Sequence, residues 1–116
     1  MKYQGSCHCG RIAFDLEADV TEAMDCNCSM CRRRGALLAF FPRDALTLTT
    51  REGDYATYRF NKEHIAHHFC RTCGIAPFSE GVHPKTGMMM AAVNLRCLPD
   101  LDLSTVAVKQ VDGASL

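Results

Sequence analysis

The sequence lacks an excess of charge of either sign. Its 116 residues carry 13 Lys and Arg against 13 Asp and Glu, so the formal net charge at pH 7 is zero. A protein whose main partner is nucleic acid needs a large positive excess or a clear basic face to neutralise phosphates. The one basic run is Arg32–Arg34. The balance of charge therefore argues against nucleic acid as a partner.

No segment of the chain is long and apolar enough to cross a bilayer. The first residues, Met1–Cys7, lack the apolar core of a secretory signal. We therefore expect no membrane contact and a cytoplasmic location, where thiols stay reduced.

Internal repeats of solenoid length, low-complexity tracts and linkers are also missing. A chain of 116 residues is the size of one domain, and we expect a single domain over residues 1–116. No long amphipathic helix is evident, and we expect only a helical turn or two after Cys31. The tail Val111–Leu116 is expected to be frayed.

Six segments have the composition or the alternation that is typical of β-strands. Some alternate polar and apolar residues, as a half-buried strand does, and others are apolar runs of strand length. They are Arg11–Glu17, Leu37–Phe41, Ala45–Thr50, Tyr55–Phe60, Ile65–Phe69 and Met88–Val93. The pattern predicts a mostly β fold with little helix.

The sequence is rich in cysteine, and seven of its eight cysteines lie in three tight clusters between the expected strands. The clusters consist of Cys7 and Cys9, of Cys26, Cys28 and Cys31, and of Cys70 and Cys73. In a reducing compartment this pattern indicates metal ligands, whereas a secreted disulfide protein is the alternative. Gly10 closes the turn of Cys7 and Cys9. Gly74 closes the turn of Cys70 and Cys73, where a left-handed residue lets backbone amides point at sulfur.

Seven clustered thiolates suit two zinc sites, because four close a tetrahedral site and three leave one position open. Spacing alone leaves the grouping undecided. The knuckle Cys28–Cys31 could pair with the knuckle Cys70–Cys73, although the gap between them is longer than in a usual zinc ribbon. That pairing would leave Cys7 and Cys9 without partners.

Three stretches of the chain resemble, in order and at similar separations, the motifs of the glutathione-dependent formaldehyde-activating enzyme family. They are Gly5–Gly10, Cys26–Arg32 and Phe69–Gly74. The segment Val93–Leu95 is similar to a later and weaker motif of that family. The resemblance extends from Tyr3 to about Asp102, and it is to a short, single-domain member close to the bare zinc core.

The resemblance implies a zinc-containing, tent-like β fold that the family shares with Rab-binding exchange factors. It also implies two zinc ions per chain. A closed structural zinc would be held by Cys7, Cys9, Cys70 and Cys73. A second zinc with an open coordination position, at which catalysis takes place, would be held by Cys26, Cys28 and Cys31.

The implied activity is the addition of glutathione to formaldehyde, giving S-hydroxymethylglutathione, which in reverse is a carbon–sulfur lyase reaction. The nucleophile must be a thiolate, and a free thiol with a pKa of about 8.5 is mostly protonated at neutral pH. Coordination to the second zinc would deprotonate the substrate's thiol and hold its sulfur in place. The expected partners are therefore a small-molecule thiol, with glutathione as candidate co-substrate, and formaldehyde or a related small aldehyde.

Other functions are left open by the residues. A non-catalytic, zinc-stabilised binding module on the same fold would have an inert or capped second site, or only one zinc. A thiol redox protein using Cys70 and Cys73 would need a strand–helix–strand context. Cys97, the eighth cysteine, is expected to be a small buried hydrophobe, with the alternative that it completes the second site as a fourth ligand.

Histidines and arginines near the clusters are further candidates. We expect His8 to be a turn residue rather than a ligand. Of His64, His67 and His68, one could act as a base or support a zinc ligand, and in a strand His67 would face the side opposite to the other two. The run Arg32–Arg34 could offset the charge of a three-thiolate site or bind glutathione carboxylates, although a solvated basic turn is the simpler expectation.

Overall fold

The computed structural model describes residues 1–50, 53–59 and 65–115. Strands make up most of the regular structure in these ranges, which confirms the mostly β prediction. The strands are β1 (Lys2–Ser6), β2 (Ala13–Glu17), β3 (Glu22–Cys26), β4 (Leu38–Pro42), β5 (Leu46–Leu48), β6 (Tyr55–Tyr58), β7 (Ile65–Cys70), β8 (Phe78–Val82), β9 (Met89–Asn94) and β10 (Ala107–Val111). The helices are α1 (Ser29–Arg34) and the short 3-10 helices Arg43–Ala45, Leu95–Cys97, Leu103–Thr105 and Gly113–Ser115.

The strands form two sheets. One has three strands in the order β1-β2-β5, and the other has seven in the order β10-β3-β4-β9-β8-β7-β6. Neighbouring strands are antiparallel except β10, which runs parallel to β3 at the edge of the larger sheet. This parallel pair brings a late segment of the chain beside the strand that ends at Cys26.

The core combines residues from both sheets. Phe14 and Leu16 of the smaller sheet pack in one cluster with Val93 of the larger one. Along β9, Ala91 and Val93 are buried while the residues between and beside them are partly exposed, because successive side chains of a strand point to opposite faces. One face of the seven-stranded sheet therefore packs on the core, and its other face is left to line a cavity.

The six segments predicted to be strands each overlap one, although their ends differ. Strand β7 continues to Cys70, so this cysteine ends a strand rather than lying beyond it. Phe60, at the end of another predicted strand, lies outside the described residues. The fold shared with Rab-binding exchange factors stays a prediction. None of the helices in the described part of the chain is long and apolar enough to span a membrane.

The short helix predicted near Cys31 is confirmed as α1, which ends before Gly35, but its start differs. It begins at Ser29, ahead of Cys31, because the sulfur of Cys28 accepts a hydrogen bond from the Cys31 amide and so caps the helix. The prediction for the tail is wrong. The tail is not frayed over its described residues, since Val111 ends a strand and Asp112 accepts a hydrogen bond from the side chain of Asn27.

Candidate metal centres

The first sulfur cluster joins two turns that are far apart in the sequence. One turn follows β1 and the other follows β7. Each is closed by a glycine in the left-handed region, Gly10 with φ of 86° and Gly74 with φ of 81°. The sequence predicted this conformation for Gly74. All four sulfurs lie within 4.8 Å of one another, and they belong to Cys7, Cys9, Cys70 and Cys73.

Backbone amides point at the sulfurs of this first cluster. The amide of Ile12 donates to Cys7 Sγ over 3.3 Å. The amides of Thr72 and Cys73 both donate to Cys70 Sγ over 3.4 Å. Such donors favour the thiolate form. Four converging sulfurs with this support fit the donor set of a closed, tetrahedral zinc site.

The second sulfur cluster is local in sequence. Cys26 ends β3, Cys28 caps the N-terminus of α1, and Cys31 lies in the first turn of that helix. The amide of Cys31 donates to Cys28 Sγ over 3.4 Å, and the Cys28 amide lies 3.5 Å from Cys26 Sγ. The three sulfurs lie within 4.8 Å of one another, and no fourth His, Cys, Asp or Glu joins them among the described residues. This triad, Cys26, Cys28 and Cys31, fits a zinc ion with one open position.

Proton affinity differs widely between the thiols of each cluster. Burial raises the pKa of Cys7 to about 11 and that of Cys31 to about 12. Burial also acts to raise the pKa of Cys73 and of Cys28, but hydrogen bonds from amides and neighbouring thiols outweigh it. The pKa of Cys73 is therefore lowered to about 6, and that of Cys28 is lowered as well. A divalent cation binds the thiolate form, so metal binding to either cluster is expected to release protons.

A cavity of about 480 Å³ opens beside the second cluster. All three sulfur-bearing residues of the triad line it, whereas none of the four cysteines of the first cluster does. Arg34 is on the same wall, while Arg32 is not, so the structure separates the members of the basic run. Arg34 is exposed as a whole residue, but its guanidinium group is partly shielded from water, which lowers its pKa. The charge of Cys31 opposes that shift.

Residues 2–107 match the family model described as glutathione-dependent formaldehyde-activating enzyme, abbreviated GFA. The chain belongs to the GFA family. It is also similar to a Rhodobacter sphaeroides protein with a solved crystal structure, at 31% sequence identity and a TM-score of 0.76. That match covers 94% of this GFA-family chain and 100% of the Rhodobacter chain. The family resemblance of the three cysteine motifs is thereby confirmed.

The tail of this GFA-family chain packs beside the triad, which the sequence did not predict. Val111 pairs with Cys26 across the parallel strands. The side chain of Asn27 donates to Asp112 Oδ1 over 3.0 Å and accepts from the amide of Ala114, also over 3.0 Å. One asparagine between two triad cysteines thus holds the tail in place.

Gly113 completes this contact. A Cβ atom on Gly113 would collide with the sulfur of Cys26 and would lie 3.3 Å from Cys28 Cβ. Only glycine lets the backbone of the tail approach the sulfur of Cys26 this closely. Gly113 also lines the cavity, so the tail forms part of its wall.

The two described histidines of β7 face opposite sides, as predicted, and His64 lies outside the described residues. His68 turns to the core, where it is hydrogen-bonded to Thr57 Oγ1 at 2.8 Å and to Glu80 Oε1 at 2.7 Å. Glu80 also binds Arg43 at 2.6 Å. These partners make His68 a structural residue. His8 is exposed in its turn and belongs to neither sulfur cluster, as expected of a turn residue.

His67 lies on the cavity wall of this GFA-family site. It is 9% exposed, and its Nδ1 lies 3.2 Å from Ser79 Oγ. Burial, followed by the charges of Arg34 and His68, lowers the pKa of His67 to about 4. The imidazole is therefore neutral at pH 7.

The lowered pKa of His67 predicts a loss of stability in weak acid. Because its ordinary pKa is 6.5 and its folded value about 4, the unfolded chain binds the extra proton first as pH falls. The contribution of the neutral imidazole to the free energy of unfolding is fully present above pH of about 6.5. It decreases by about 1 kcal/mol between pH 6.5 and 5.5. Denaturant unfolding should show that the His67→Gln variant lacks this part of the pH dependence. An NMR titration in which His67 protonates near pH 6.5 would contradict it.

Cys97 does not complete the second site, so that alternative is wrong. Burial, followed by the charges of Cys7 and Cys73, raises the pKa of Cys97 to about 11. Because two cysteines of the first cluster act on it, Cys97 lies near that cluster. It belongs to neither group of converging ligands. The redox alternative also fails, because the turn carrying Cys70 and Cys73 connects the antiparallel strands β7 and β8 without an intervening helix.

Proposed function

We propose that this chain is a zinc-dependent carbon–sulfur lyase-type enzyme, similar to S-hydroxymethylglutathione synthase. It adds a thiol, with glutathione as the candidate, to formaldehyde or a related small aldehyde. The observation that carries the proposal is that all three cysteines of the triad line a cavity, which none of the four cysteines of the first cluster lines. Membership of the GFA family supports the same chemistry. Zinc ligation by seven cysteines requires thiols that stay reduced, which supports a cytoplasmic location.

Each sulfur cluster has its own role in this proposal. In the first cluster Cys7 and Cys70 are 3% and 1% exposed, and four ligands leave no position for a substrate. Cys7, Cys9, Cys70 and Cys73 therefore hold a structural zinc. In the second cluster three partly exposed thiolates leave the fourth position to a ligand from the cavity. Cys26, Cys28 and Cys31 therefore hold the catalytic zinc, giving two zinc ions per chain.

Zinc bound to the triad would act as a Lewis acid that lowers the pKa of an incoming thiol. In the reaction the thiol sulfur forms a bond to the carbonyl carbon. The π electron pair of the carbonyl moves to its oxygen, which takes up the proton that the thiol loses. No oxidant or reductant is required, so the chain needs to supply only ionisation and position.

The chain's own residues support these requirements. The amide hydrogen bonds to Cys26 and Cys28 stabilise negative charge at the triad. Three thiolates exceed the charge of a divalent ion by one, and Arg34 supplies a positive charge within electrostatic range of Cys31. Its place on the cavity wall also suits it to the carboxylate of a bound thiol.

Exchange NMR on a mixture of formaldehyde and glutathione tests the proposal. Zinc-replete protein should accelerate exchange between the free aldehyde and its thiol adduct. The Cys28→Ser variant should lose about 30-fold or more, because only about 3% of a thiol of pKa about 8.5 is ionised at pH 7. Cys97→Ser, which changes a cysteine outside both clusters, should keep the wild-type rate. No acceleration, or an equal rate in Cys28→Ser, would favour the non-catalytic, zinc-stabilised binding module instead.

A further inference from the structure

We propose that the cavity beside the triad selects aldehydes with an uncharged apolar body, such as a short alkyl chain or one aromatic ring, over formaldehyde. This inference rests on the proposed function and specifies its substrate class. The thiol sulfur adds to the carbonyl carbon, and the thiol's proton passes to the carbonyl oxygen, as with formaldehyde. The difference is the substituent on the carbonyl carbon, which extends into the cavity on the side away from the sulfurs.

The floor of the cavity is one face of the seven-stranded sheet. Met24 faces Leu38 across β3 and β4, and Phe40 faces Ala92 across β4 and β9. These four residues line the cavity, and Cys26 lies two positions beyond Met24 on the same face of β3. An aldehyde whose carbonyl carbon lies at the triad therefore has its remaining atoms over an apolar sheet surface.

The size of the cavity exceeds what formaldehyde needs. Its volume of about 480 Å³ falls in the range of roughly 300–1,000 Å³ that is typical of pockets for drug-sized ligands. Formaldehyde would occupy a small part of this space, and a thiol held by the triad and by Arg34 fills the end near the sulfurs, so the apolar floor beyond would stay in contact with water. A longer apolar aldehyde removes that surface from water, which favours its binding.

The distribution of charge excludes a second charged group far from the sulfurs. Arg34 is at the triad end, near Cys31, where it suits the thiol. Glu80 also borders the cavity. Its carboxylate already binds Arg43 Nε at 2.6 Å and His68 Nε2 at 2.7 Å. A charged group placed over the floor itself would exchange its hydration for contact with apolar side chains, which is costly. The body of the aldehyde is therefore apolar and uncharged.

Rates with aldehydes of increasing length test the inference. Exchange NMR with glutathione should show that the acceleration over the uncatalysed rate increases from formaldehyde through butanal to hexanal, by about three- to fourfold per methylene. Ala92→Leu fills the floor, so it should lose this length dependence, with the acceleration for hexanal falling much more than that for formaldehyde. The control Ala107→Leu makes the same change at an exposed position of β10 and should behave as wild type.

Binding provides a second measurement that does not depend on turnover. Hexanamide, an unreactive analogue of hexanal, should shift the NMR methyl signals of the methionines that line the cavity. These are Met24, Met30 and Met90. The methyl signals of Met1, Met88 and Met89 should stay unchanged, and acetamide at the same concentration should shift none.

The outcomes separate this inference from the function on which it rests. Acceleration with formaldehyde that does not increase with chain length would overturn the apolar selectivity and leave the proposed function intact. If the protein accelerates the reaction of none of these aldehydes, the proposed function is overturned. The hexanamide shifts would then be the one remaining test of which class of ligand the cavity binds. Cavity methionine signals that change with protein concentration would show that a second copy covers this face, which would also overturn the inference.

Discussion

Replacing Cys70 by Ser is expected to unfold the domain at 37 °C. Cys70 is buried at the end of β7, and its sulfur lies 3.5 Å from that of Cys9, 61 positions away. A structural zinc contributes about 10–16 kcal/mol in zinc-finger peptides, which matches the whole stability of a typical domain of about 5–15 kcal/mol. Loss of one of its four ligands should therefore remove the folded state, as thermal melts followed by circular dichroism would show.

Cys28→Ser is the matched control for this prediction. Cys28 is only partly buried, and the triad lies within one short stretch of chain, so its zinc closes no long loop. The variant should melt within a few degrees of wild type while losing activity. A strong chelator should likewise remove zinc from the second site before the fold is lost. Equal losses of melting temperature in Cys70→Ser and Cys28→Ser would contradict the division into structural and catalytic sites.

Gly113→Ala is expected to weaken zinc binding at the triad about 10- to 100-fold, the usual effect of disturbing groups that support metal ligands. The added methyl group would collide with the sulfur of Cys26, so either the tail or this ligand must move. Competition with a chromophoric chelator on purified protein measures the change directly. The melting temperature should fall little, because Gly113 does not contact the first cluster.

Ala114→Ser controls for the second prediction. Ala114 is the exposed neighbour of Gly113, and its contact with Asn27 is made by its backbone amide, which serine retains. This variant should bind two zinc ions per chain with wild-type affinity. If Gly113→Ala retained zinc equally well, the tail would be a neighbour of the triad without influence on it.

The sequence predicts those parts of the fold that local pattern determines. Strand β9 is an apolar run, and Gly10 and Gly74 close turns that need a left-handed residue, so each was found without tertiary information. Strand β10 was missed because its residues are mostly exposed and it becomes a strand only by pairing with β3. Its partner β3 is distant in sequence, and no local pattern of residues predicts the pairing.

The candidate site divides in the same way. The family motifs alone gave the grouping of the seven cysteines, and the structure brings those groups together. The cavity could not be predicted, because its floor is one face of several strands whose register is set by the whole sheet. The opposite orientations of His67 and His68 follow from strand periodicity, but which of them reaches the cavity depends on the side that the core occupies.

The parallel pairing of β10 with β3 has a consequence during synthesis on the ribosome. Asn27 and Asp112, which join the tail to the triad, are 85 positions apart. At about 5–20 residues per second, the nascent chain exposes the triad for roughly 4 to 17 s before its covering strand is made. During that interval three adjacent thiols are open to oxidants and to competing metals. The order of translation therefore makes the triad one of the last parts of the described chain to reach its folded surroundings.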